Sequence, residues 1–455
     1  MAQRLERNLS LGGAIATITG LVIGASIFVL IPELAGMTGP SLYIAYALSA
    51  IPALFCILYV VQLGSAVPVT GAHYIAVTRW ISPLAGWVGS LCGTIAIVAT
   101  NCLVSWGFAQ YIAHYIPGLP PVAWAMGVVV TFAVINYLGI RLVGWSQMLM
   151  MTVFILAMLL FGIGGAINMN PDNLVPLFPK GIEGFIMVCI IATMSWLGFL
   201  GLAEVGGEIK SPRRNIPLAL LISFFVVLFL YVLQPFALVS TMPWNEAAEI
   251  GEAAVLIAAG RFLPAGAVTF IALGAIMAML TTINALILIA ARDLTAWGRD
   301  AMMPTIFSRV NRRFHTPDIS LLTITILVLI GILFARTLSE YAVVTVLALM
   351  IVQILGATAT WLLPKRAPDI FNRAIFKFSL FWRWFTWIGC LLIFTLIFLF
   401  GLMAKMAVGA VFICVIAAGM IYWFARKAHL KRHGIDLDRR LKGITGATLE
   451  ELEVK

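Results

Sequence analysis

Apolar segments long enough to cross a lipid bilayer follow one another along most of the 455-residue chain. A helix needs roughly 20 consecutive apolar residues to span the hydrocarbon core of a membrane. The composition agrees, because 62% of the residues are hydrophobic and only 11% are charged, whereas a soluble domain carries about 25% charged residues. A water-soluble enzyme and a soluble nucleic-acid-binding domain are therefore excluded, and we expect a protein embedded in the bilayer.

Twelve spans are predicted when the chain is divided at its polar, proline-containing and charged breaks. The expected fold class is an all-α polytopic membrane protein with twelve transmembrane helices. The predicted spans, numbered in chain order, are residues 11–36, 40–66, 83–115, 121–139, 146–168, 184–208, 215–240, 262–297, 318–336, 340–363, 380–402 and 404–427.

The basic residues predict how these spans are oriented, because cytoplasmic loops retain Lys and Arg. With the N-terminus inside, only Lys180, Arg261, Arg336 and Lys405 of the 29 Lys and Arg residues fall on the outer face. The remaining 25 lie on the inner face, which places both termini in the cytoplasm. We expect an integral protein of the cytoplasmic (inner) membrane.

Two of the predicted spans contain glycines that weaken a helix. Span 1 carries Gly20 and Gly24, and span 6 carries Gly198 and Gly201. Glycine costs a helix interior about 1 kcal/mol relative to alanine, and interrupted backbone at membrane depth is tolerated where it lines a cavity or is buried in protein. Breaks in corresponding spans of two halves point to a transporter binding site. The alternative is that these glycines only allow close helix packing.

The spacing of the two breaks suggests an internal repeat. Gly24 and Gly198 lie in spans 1 and 6, and a repeat of five helices, an odd number, is inverted in its second copy. Spans 1–5 and 6–10 are therefore predicted to be inverted repeats, with spans 11 and 12 appended. The expected units are a first repeat at residues 1–168, a second repeat at 169–363, the last two helices at 364–427 and a cytoplasmic tail at 428–455.

Three motifs in the chain resemble the amino acid/polyamine/organocation (APC) transporter superfamily. Residues 20–28 are similar to its first-helix pattern GxxIGxxIF, and residues 207–217 are similar to the loop after its sixth helix. Residues 291–304 resemble the (S/T)RxxxAxxRDGxxP end of its eighth helix, although Ala301 stands where the family has glycine. The resemblance covers helices 1 to 10. It implies a five-plus-five inverted-repeat fold that works by alternating access, with substrate held between broken helices 1 and 6.

Two broken helices suit an amino acid substrate for a physical reason. A half-helix that begins near Ser26 offers N–H groups to a carboxylate, and one that ends near Leu197 offers carbonyls to an ammonium. The resemblance adds a side-chain pocket and an amide from Asn101, whose alternative role is to bond to a neighbouring helix backbone. The predicted substrate-binding residues are Ile23, Gly24, Ala25, Ser26, Ile27, Asn101, Trp196, Leu197, Gly198, Phe199 and Leu200.

Leu200 bears on the substrate class. In cation-selective members of the family, the matching position tends to carry a carboxylate, whereas this chain has an apolar residue there. A second buried positive charge without a partner is costly. The sequence therefore favours a neutral amino acid over arginine or a polyamine.

Two alternative ion-coupling sites are predicted. Thr281 and Thr282 match the positions at which sodium-coupled relatives supply hydroxyls, and carbonyls of Gly20, Ile23 and Ala278 would complete the sodium site. The alternative is that the two threonines only bond back to helix carbonyls. Phe154 occupies the position at which proton-coupled members often carry a lysine.

Glu204 is the second candidate, because it is the one acid well inside a predicted span. An intramembrane carboxylate is a functional-site hypothesis by default, so Glu204 is a candidate proton carrier, and a structural acid is the alternative. No metal site is expected, and a sodium ion is the one possible cofactor.

The sequence thus predicts a secondary active transporter, an ion-coupled symporter of neutral amino acids. The alternative is an amine, polyamine or cationic amino acid transporter or exchanger in which Glu204 pairs with the substrate cation. An enzyme is not expected, because the chain has no HExxH or GxSxG motif. The expected partners are a small amino acid and the lipid bilayer, and no nucleic acid.

Overall fold

The protein is helical almost throughout the part of the chain that the structure, a computed structural model, describes. The described residues are 10–23, 26–67, 72–116, 118–138, 141–200, 209–311, 314, 316–334 and 337–441. The α-helices, labelled in chain order, are α1 Leu11–Val22, α2 Ser26–Val29, α3 Ile31–Thr38, α4 Leu42–Ala66, α5 Ala72–Ala76, α6 Pro83–Tyr115, α7 Pro121–Leu138, α8 Arg141–Ile167, α9 Gly181–Ala192, α10 Pro212–Thr241, α11 Trp244–Ile250, α12 Ala254–Gly260, α13 Ala265–Arg299, α14 Asp318–Ile332, α15 Leu338–Arg366, α16 Pro368–Arg373, α17 Leu380–Ala404 and α18 Met406–Arg432.

Nine helical stretches in these ranges are long and apolar enough to cross a membrane. Three shorter apolar helices, at 11–20, 181–196 and 318–332, coincide with predicted spans 1, 6 and 9. The prediction of an all-helical membrane protein is therefore confirmed. The count of twelve crossings and the repeat remain predictions.

Most observed helices begin and end close to the predicted bounds. Helix α6 covers the residues predicted for span 3, and α10 begins three residues before predicted span 7 and ends one residue after it. Span 1 is divided among α1, α2 and α3. Span 6 differs more, because α9 begins at Gly181 and ends at Ala192, where a 3-10 helix over Thr193–Leu200 takes over.

The centre of the molecule is formed by α4, α6, α8, α10, α13 and α15. Helix α10 packs against α4 and α8, while α13 packs against α6 and α8, and α15 packs against α6. In the apolar 18-residue stretch of α15, 72% of the residues are buried, compared with 22% in α17 and 17% in α18. The last two helices therefore lie at the periphery, where apolar side chains such as Phe381 and Ile421 are exposed to the surroundings.

Close helix contacts in this centre depend on small residues. A Cβ atom on Gly165 of α8 would lie 2.6 Å from the Cβ of Ala237 on α10. A Cβ on Gly274 of α13 would lie 2.2 Å from the Cβ of Ala157 on α8. Small residues let helix backbones approach closely in a membrane, so α8 is held tightly between α10 and α13.

Candidate functional site

The first interruption lies between α1 and α2. The last helical N–H of α1, that of Ile23, donates to Thr19 O at 2.8 Å, and helical backbone resumes at Ser26. The carbonyls that end a helix have no partner within it. Pro32 near the start of α3 has no N–H to continue the ladder from α2. The helical conformation of α1 therefore ends at Ile23 (φ −76°, ψ 74°), one residue before Gly24, from which the sequence predicted the break.

The second interruption is a change of helix type. The α-helical ladder of α9 stops at Ala192, and the next eight residues, Thr193–Leu200, form the 3-10 segment. Thr193 Oγ1 donates to Cys189 O at 3.0 Å, and such back-bonding often bends helices in membranes. The change therefore begins five residues before Gly198, the residue that signalled it in the sequence.

One hydroxyl group connects the two interruptions. Tyr231 of α10 places its hydroxyl oxygen 2.6 Å from Val22 O, at the end of α1, and 2.9 Å from Ser195 O, in the 3-10 segment. The single phenolic proton is therefore shared between two carbonyls. Tyr231 is fully buried. The ends of two interrupted helices thus meet at one side chain of a third helix.

Further hydrogen bonds hold α1 against α10. Thr19 Oγ1 donates to Ser223 Oγ at 3.3 Å, and Ser223 Oγ donates to Ile15 O at the same distance. Both side chains are buried. These bonds fix the register of α1 on α10 and so keep Val22 opposite Tyr231.

Aromatic side chains surround the junction. Trp196 meets Tyr231 edge to face at 5.1 Å between ring centroids and is stacked on Phe199 at 6.1 Å. Phe224 lies 5.6 Å from Trp196, and Tyr46 lies 6.0 Å from Tyr231. All five side chains are buried. They form an apolar, uncharged wall beside the helix interruptions.

Two polar atoms at this wall have no hydrogen-bond partner among the described residues apart from each other. They are the hydroxyls of Tyr46 and Ser195, both buried. In contrast, the indole N–H of Trp196 donates to Ser49 Oγ at 2.9 Å. Buried polar atoms without a partner are rare in folded proteins, so these two hydroxyls are available to a bound polar molecule.

A cavity lies beside Trp196. Its volume is about 270 Å³, including the space open at its mouth. The cavity is lined by residues of α4, the 3-10 segment, α15 and α17, namely Pro52, Ala53, Cys56, Thr193, Trp196, Leu349, Met350, Gln353 and Phe394. Trp196 therefore belongs both to the wall of this cavity and to the junction at Tyr231.

Asn101 lies on α6 and is engaged with protein groups on both sides of its amide. Its Nδ2 donates to Ile283 O of α13 at 3.3 Å, and its Oδ1 accepts from Ser105 Oγ at 3.3 Å. This is the arrangement expected for an amide that bonds to a neighbouring helix. Its role in substrate binding stays a prediction.

The predicted sodium ligands on α13 also bond to their own helix. Thr281 Oγ1 and Thr282 Oγ1 both donate to Ala278 O, at 2.9 and 2.8 Å. A Cβ on Gly20 would lie 2.6 Å from Met151 Sδ of α8, so α1 and α8 are in direct contact there. A sodium ion at Ala278 would have to compete with these two hydroxyl donors for the carbonyl oxygen.

Phe154 occupies the contact between α8 and α13. The residue is fully buried, and a Cβ on Gly274 would lie 3.5 Å from its Cα. Position 154, where proton-coupled members of the family often carry a lysine, therefore holds an aromatic ring packed into the core. No titratable group stands at that position.

Several predicted residues lie outside the described residues. Gly24, Ala25 and Glu204 belong to this group, and the side chains of Ser26, Leu197 and Leu200 are likewise not described. Ile23, Ile27, Trp196 and Phe199 are buried. Helix α1, at whose end Ile23 lies, is in contact with the 3-10 segment that carries Trp196 and Phe199.

Sequence reasoning missed the residues that join the two interruptions. Tyr231 and Tyr46 lie within long apolar helices, and neither belongs to a motif. The available signal was a tyrosine hydroxyl in the interior of a predicted span, where a polar group needs a partner. Identifying that partner required the contact between residues 209 positions apart in the chain.

Interrupted helices that meet in the centre of an apolar helical bundle are the architecture in which membrane transporters place their substrates. The sequence profile of the amino acid permease family matches residues 9–432, and the chain belongs to this family. The resemblance to the APC superfamily is confirmed by this match. The protein is a membrane transporter and not an enzyme.

Individual proteins of known name are similar to this chain at about a quarter sequence identity. A branched-chain amino acid permease of Bacillus subtilis is 26% identical over 374 residues, which cover 77% of this chain and 79% of that protein. A methylthioribose transporter of the same organism is 26% identical over 341 residues, 70% of this chain and 72% of that protein. A mitochondrial cationic amino acid transporter of Arabidopsis thaliana is 26% identical over 339 residues, 69% of this chain and 55% of that protein.

Proposed function

We propose that the protein is a secondary active transporter that carries neutral amino acids across the membrane by alternating access. The observation that carries this proposal is the shared hydroxyl of Tyr231, which joins the end of α1 to the 3-10 segment. A substrate between the two interruptions would meet backbone N–H groups near Ser26 and backbone carbonyls near Trp196. Oriented backbone dipoles of this kind bind a carboxylate and an ammonium at opposite ends.

The walls of the junction support a neutral substrate. Its described side chains are aromatic or carry an uncharged hydroxyl, and Leu200 offers no carboxylate to a cationic side chain. A buried substrate charge would therefore lack a partner. The branched-chain permease among the relatives fits this class, whereas the cationic transporter favours the alternative in which Glu204 pairs with a substrate cation.

Uptake by proteoliposomes distinguishes the substrate classes. We expect labelled leucine or valine to accumulate, with competition by other neutral amino acids and none by arginine, putrescine or methylthioribose. Accumulation of arginine or putrescine that is lost in Glu204→Gln would instead establish the alternative. Accumulation of methylthioribose alone would contradict amino acid transport.

Coupling to sodium or to protons belongs to the same proposal. The hydroxyls of Thr281 and Thr282 donate to Ala278 O, and a hydroxyl that donates its proton also has an oxygen that can coordinate a cation. If sodium drives uptake, Thr281→Ala and Thr282→Ala should weaken the dependence on a sodium gradient. Thr269→Ala is the matched control, because Thr269 is exposed on the same helix and its hydroxyl donates to Ala265 O in the same way.

The proton alternative has its own measurement. A proton gradient imposed without sodium should drive uptake, and Glu204→Gln should remove that effect at all pH values. Uptake that ignores sodium and is unchanged by both threonine substitutions would contradict sodium coupling. Transport by Glu204→Gln that follows the wild-type pH profile would contradict proton coupling.

The helix contacts support the proposed inverted repeat. If spans 1–5 correspond to spans 6–10, each contact should recur between the corresponding helices. The contact between α8 and α13 corresponds to that between α6 and α15, and the contact of α1 with α10 corresponds to that of the 3-10 segment with α4. The contact of α6 with α7 likewise corresponds to that of α13 with α14.

A further inference from the structure

A second cavity lies near one end of the bundle, where α4, α15 and α17 meet. Its volume is about 220 Å³ including the space open at its mouth, and its enclosed part admits about one water-sized particle. We call it the α4–α15–α17 cavity. It is lined by Tyr59, Gln62, Ala357, Thr360, Trp361, Arg383, Thr386 and Trp387. None of these residues belongs to the predicted substrate or coupling sites.

Four of the lining residues have buried polar atoms that meet no hydrogen-bond partner within the described part of the chain. The atoms are Gln62 Nε2, Trp361 Nε1, Arg383 Nε and Thr386 Oγ1. Gln62 and Thr386 are only 2% and 4% exposed. Three of the four atoms are N–H donors that cannot accept, and the fourth is a hydroxyl that donates as well as accepts. One small cavity therefore gathers unused donors from three helices.

The cavity also carries positive charge. The guanidinium carbon of Arg383 lies 5.5 Å from the centre of the Phe371 ring, and Lys365 Nζ lies 4.5 Å from the centre of the Trp361 ring. Neither cation contacts a carboxylate in the described part of the chain. A partly buried cation without a counter-ion is unfavourable, and the described residues that line the cavity include no acid that would balance Arg383.

Water and an anion differ in how well they meet these needs. A water molecule accepts only two hydrogen bonds and carries no charge, so it would leave some of the four donors unused and Arg383 without a counter-ion. An anion accepts from all four donors and also balances Arg383. We propose that the α4–α15–α17 cavity binds a monovalent anion of the size of chloride.

The proposed anion site is linked to the neighbouring cavity. Tyr59, in its wall, donates its hydroxyl to Gln353 Oε1 at 2.5 Å. Gln353 lines the cavity beside Trp196. Occupancy of the anion site would therefore act on α15 close to the 3-10 segment.

Thermal unfolding of the purified protein in detergent tests the proposal. In this experiment, gluconate is replaced stepwise by chloride at constant ionic strength. We expect the unfolding temperature to rise by about 1–3 °C and to reach a plateau as the chloride concentration increases. The rise should be lost in Arg383→Gln and in Gln62→Leu. Arg366→Gln is the matched control, because it removes an exposed cation near the same end of α15 and should keep the rise.

A charge substitution within the cavity sharpens the test. Gln62→Glu would place a carboxylate beside Arg383, where it takes over the role of the ion. We expect this variant to be as stable without chloride as the wild type is with it, and to show no further rise.

Three outcomes would overturn the proposal. A chloride effect that is absent, or equal in wild type and Arg383→Gln, would mean that water fills the cavity. A rise that depends on Arg383 but is produced by phosphate or by phosphatidylglycerol, and not by chloride, would mean that a phosphate group binds. If both Arg383→Gln and Gln62→Leu fail to fold, bromide-soaked crystals of the wild type decide, since the absence of an anomalous peak among Gln62, Trp361 and Arg383 would refute the site.

Discussion

At the scale of single residues, the junction of the interrupted helices shows how much depends on one hydroxyl. Tyr231 and Tyr46 are both buried and their rings are neighbours. The hydroxyl of Tyr231 meets two carbonyls, whereas that of Tyr46 meets none. The two tyrosines therefore provide a matched pair in which the same chemical change has different consequences.

We expect Tyr231→Phe to lower the stability of the substrate-free protein by about 1–3 kcal/mol, because Val22 O and Ser195 O lose their buried donor. Tyr46→Phe removes a hydroxyl that meets no carbonyl and has only the Ser195 hydroxyl as its described polar neighbour, so it should change stability much less. Thermal unfolding of both variants in the same detergent measures the difference. Equal effects of the two substitutions would contradict a specific role for Tyr231.

His73 predicts a dependence of stability on pH. The residue lies on α5, outside the apolar spans, and burial lowers the pKa of His73 from 6.5 to about 4. Its Nε2 lies 3.1 Å from Val352 O, so the neutral ring donates to that carbonyl. The unfolded chain binds a proton between pH 6.5 and 4 while the folded protein does not. His73 therefore reduces folded-state stability as the pH falls through this range.

The full effect would approach about 3 kcal/mol at low pH. His73→Gln keeps a donor for Val352 O and does not titrate, so its unfolding temperature should fall less than that of the wild type between pH 7 and pH 4. The difference between the two profiles isolates His73 from other titrating groups. Parallel profiles would show that His73 becomes protonated in the folded state without cost.

The sequence predicted the glycine signals of the site but not the residues that join them. Gly24 and Gly198 mark helix weakness through local propensity, which a sequence records directly. Tyr231 acts through contacts with Val22 and Ser195, and such contacts depend on how α10 packs in three dimensions. Asn101 shows the same limit, because its residue type does not reveal whether its amide faces a substrate or the carbonyl of Ile283.

At the scale of the helices, hydrophobic length predicted most of the fold. Spans such as α6 and α13 were predicted closely, because a run of apolar residues and its polar ends are local features. The 3-10 segment was not predicted, since its start at Thr193 depends on back-bonding to Cys189 and on the meeting with Tyr231. Helix type near the interruptions is thus set by tertiary contacts.

Glycine at the contact between α8 and α10 has a measurable consequence. A Cβ on Gly165 would lie 2.6 Å from Ala237 Cβ and 3.0 Å from Ala237 Cα. Neither atom of Ala237 can move away by a side-chain rotation. We expect Gly165→Ala to force the two helices apart and to cost about 1–3 kcal/mol. Gly127→Ala on α7 meets nothing within 4 Å, and it should raise helix stability by up to about 1 kcal/mol.

Thermal unfolding again measures both changes. Transport should fall in Gly165→Ala, because α10 carries Tyr231 to the junction, while Gly127→Ala should transport normally. A Gly165→Ala protein that is as stable as the wild type would show that α8 and α10 do not pack as closely as the structure indicates.

At the scale of the whole molecule, the orientation of the protein in the membrane and the proposed inverted repeat can be tested together. Three spans, 6 to 8, separate the loop at Asp172 from the loop at Thr305, and both residues are exposed. If all three predicted spans cross the bilayer, their odd number places the two loops on opposite sides of the membrane. The distribution of Lys and Arg further predicts that Thr305 faces the cytoplasm and Asp172 the outside.

Labelling with a membrane-impermeant maleimide tests this topology in a background from which the six native cysteines have been removed. In right-side-out vesicles, Asp172→Cys should be labelled and Thr305→Cys protected, and inverted vesicles should show the reverse. Labelling of both positions from one side would show an even number of crossings between them, which would contradict the inverted repeat. Labelling on opposite sides but with the reverse polarity would preserve the repeat and show that loop charge does not determine how this protein inserts.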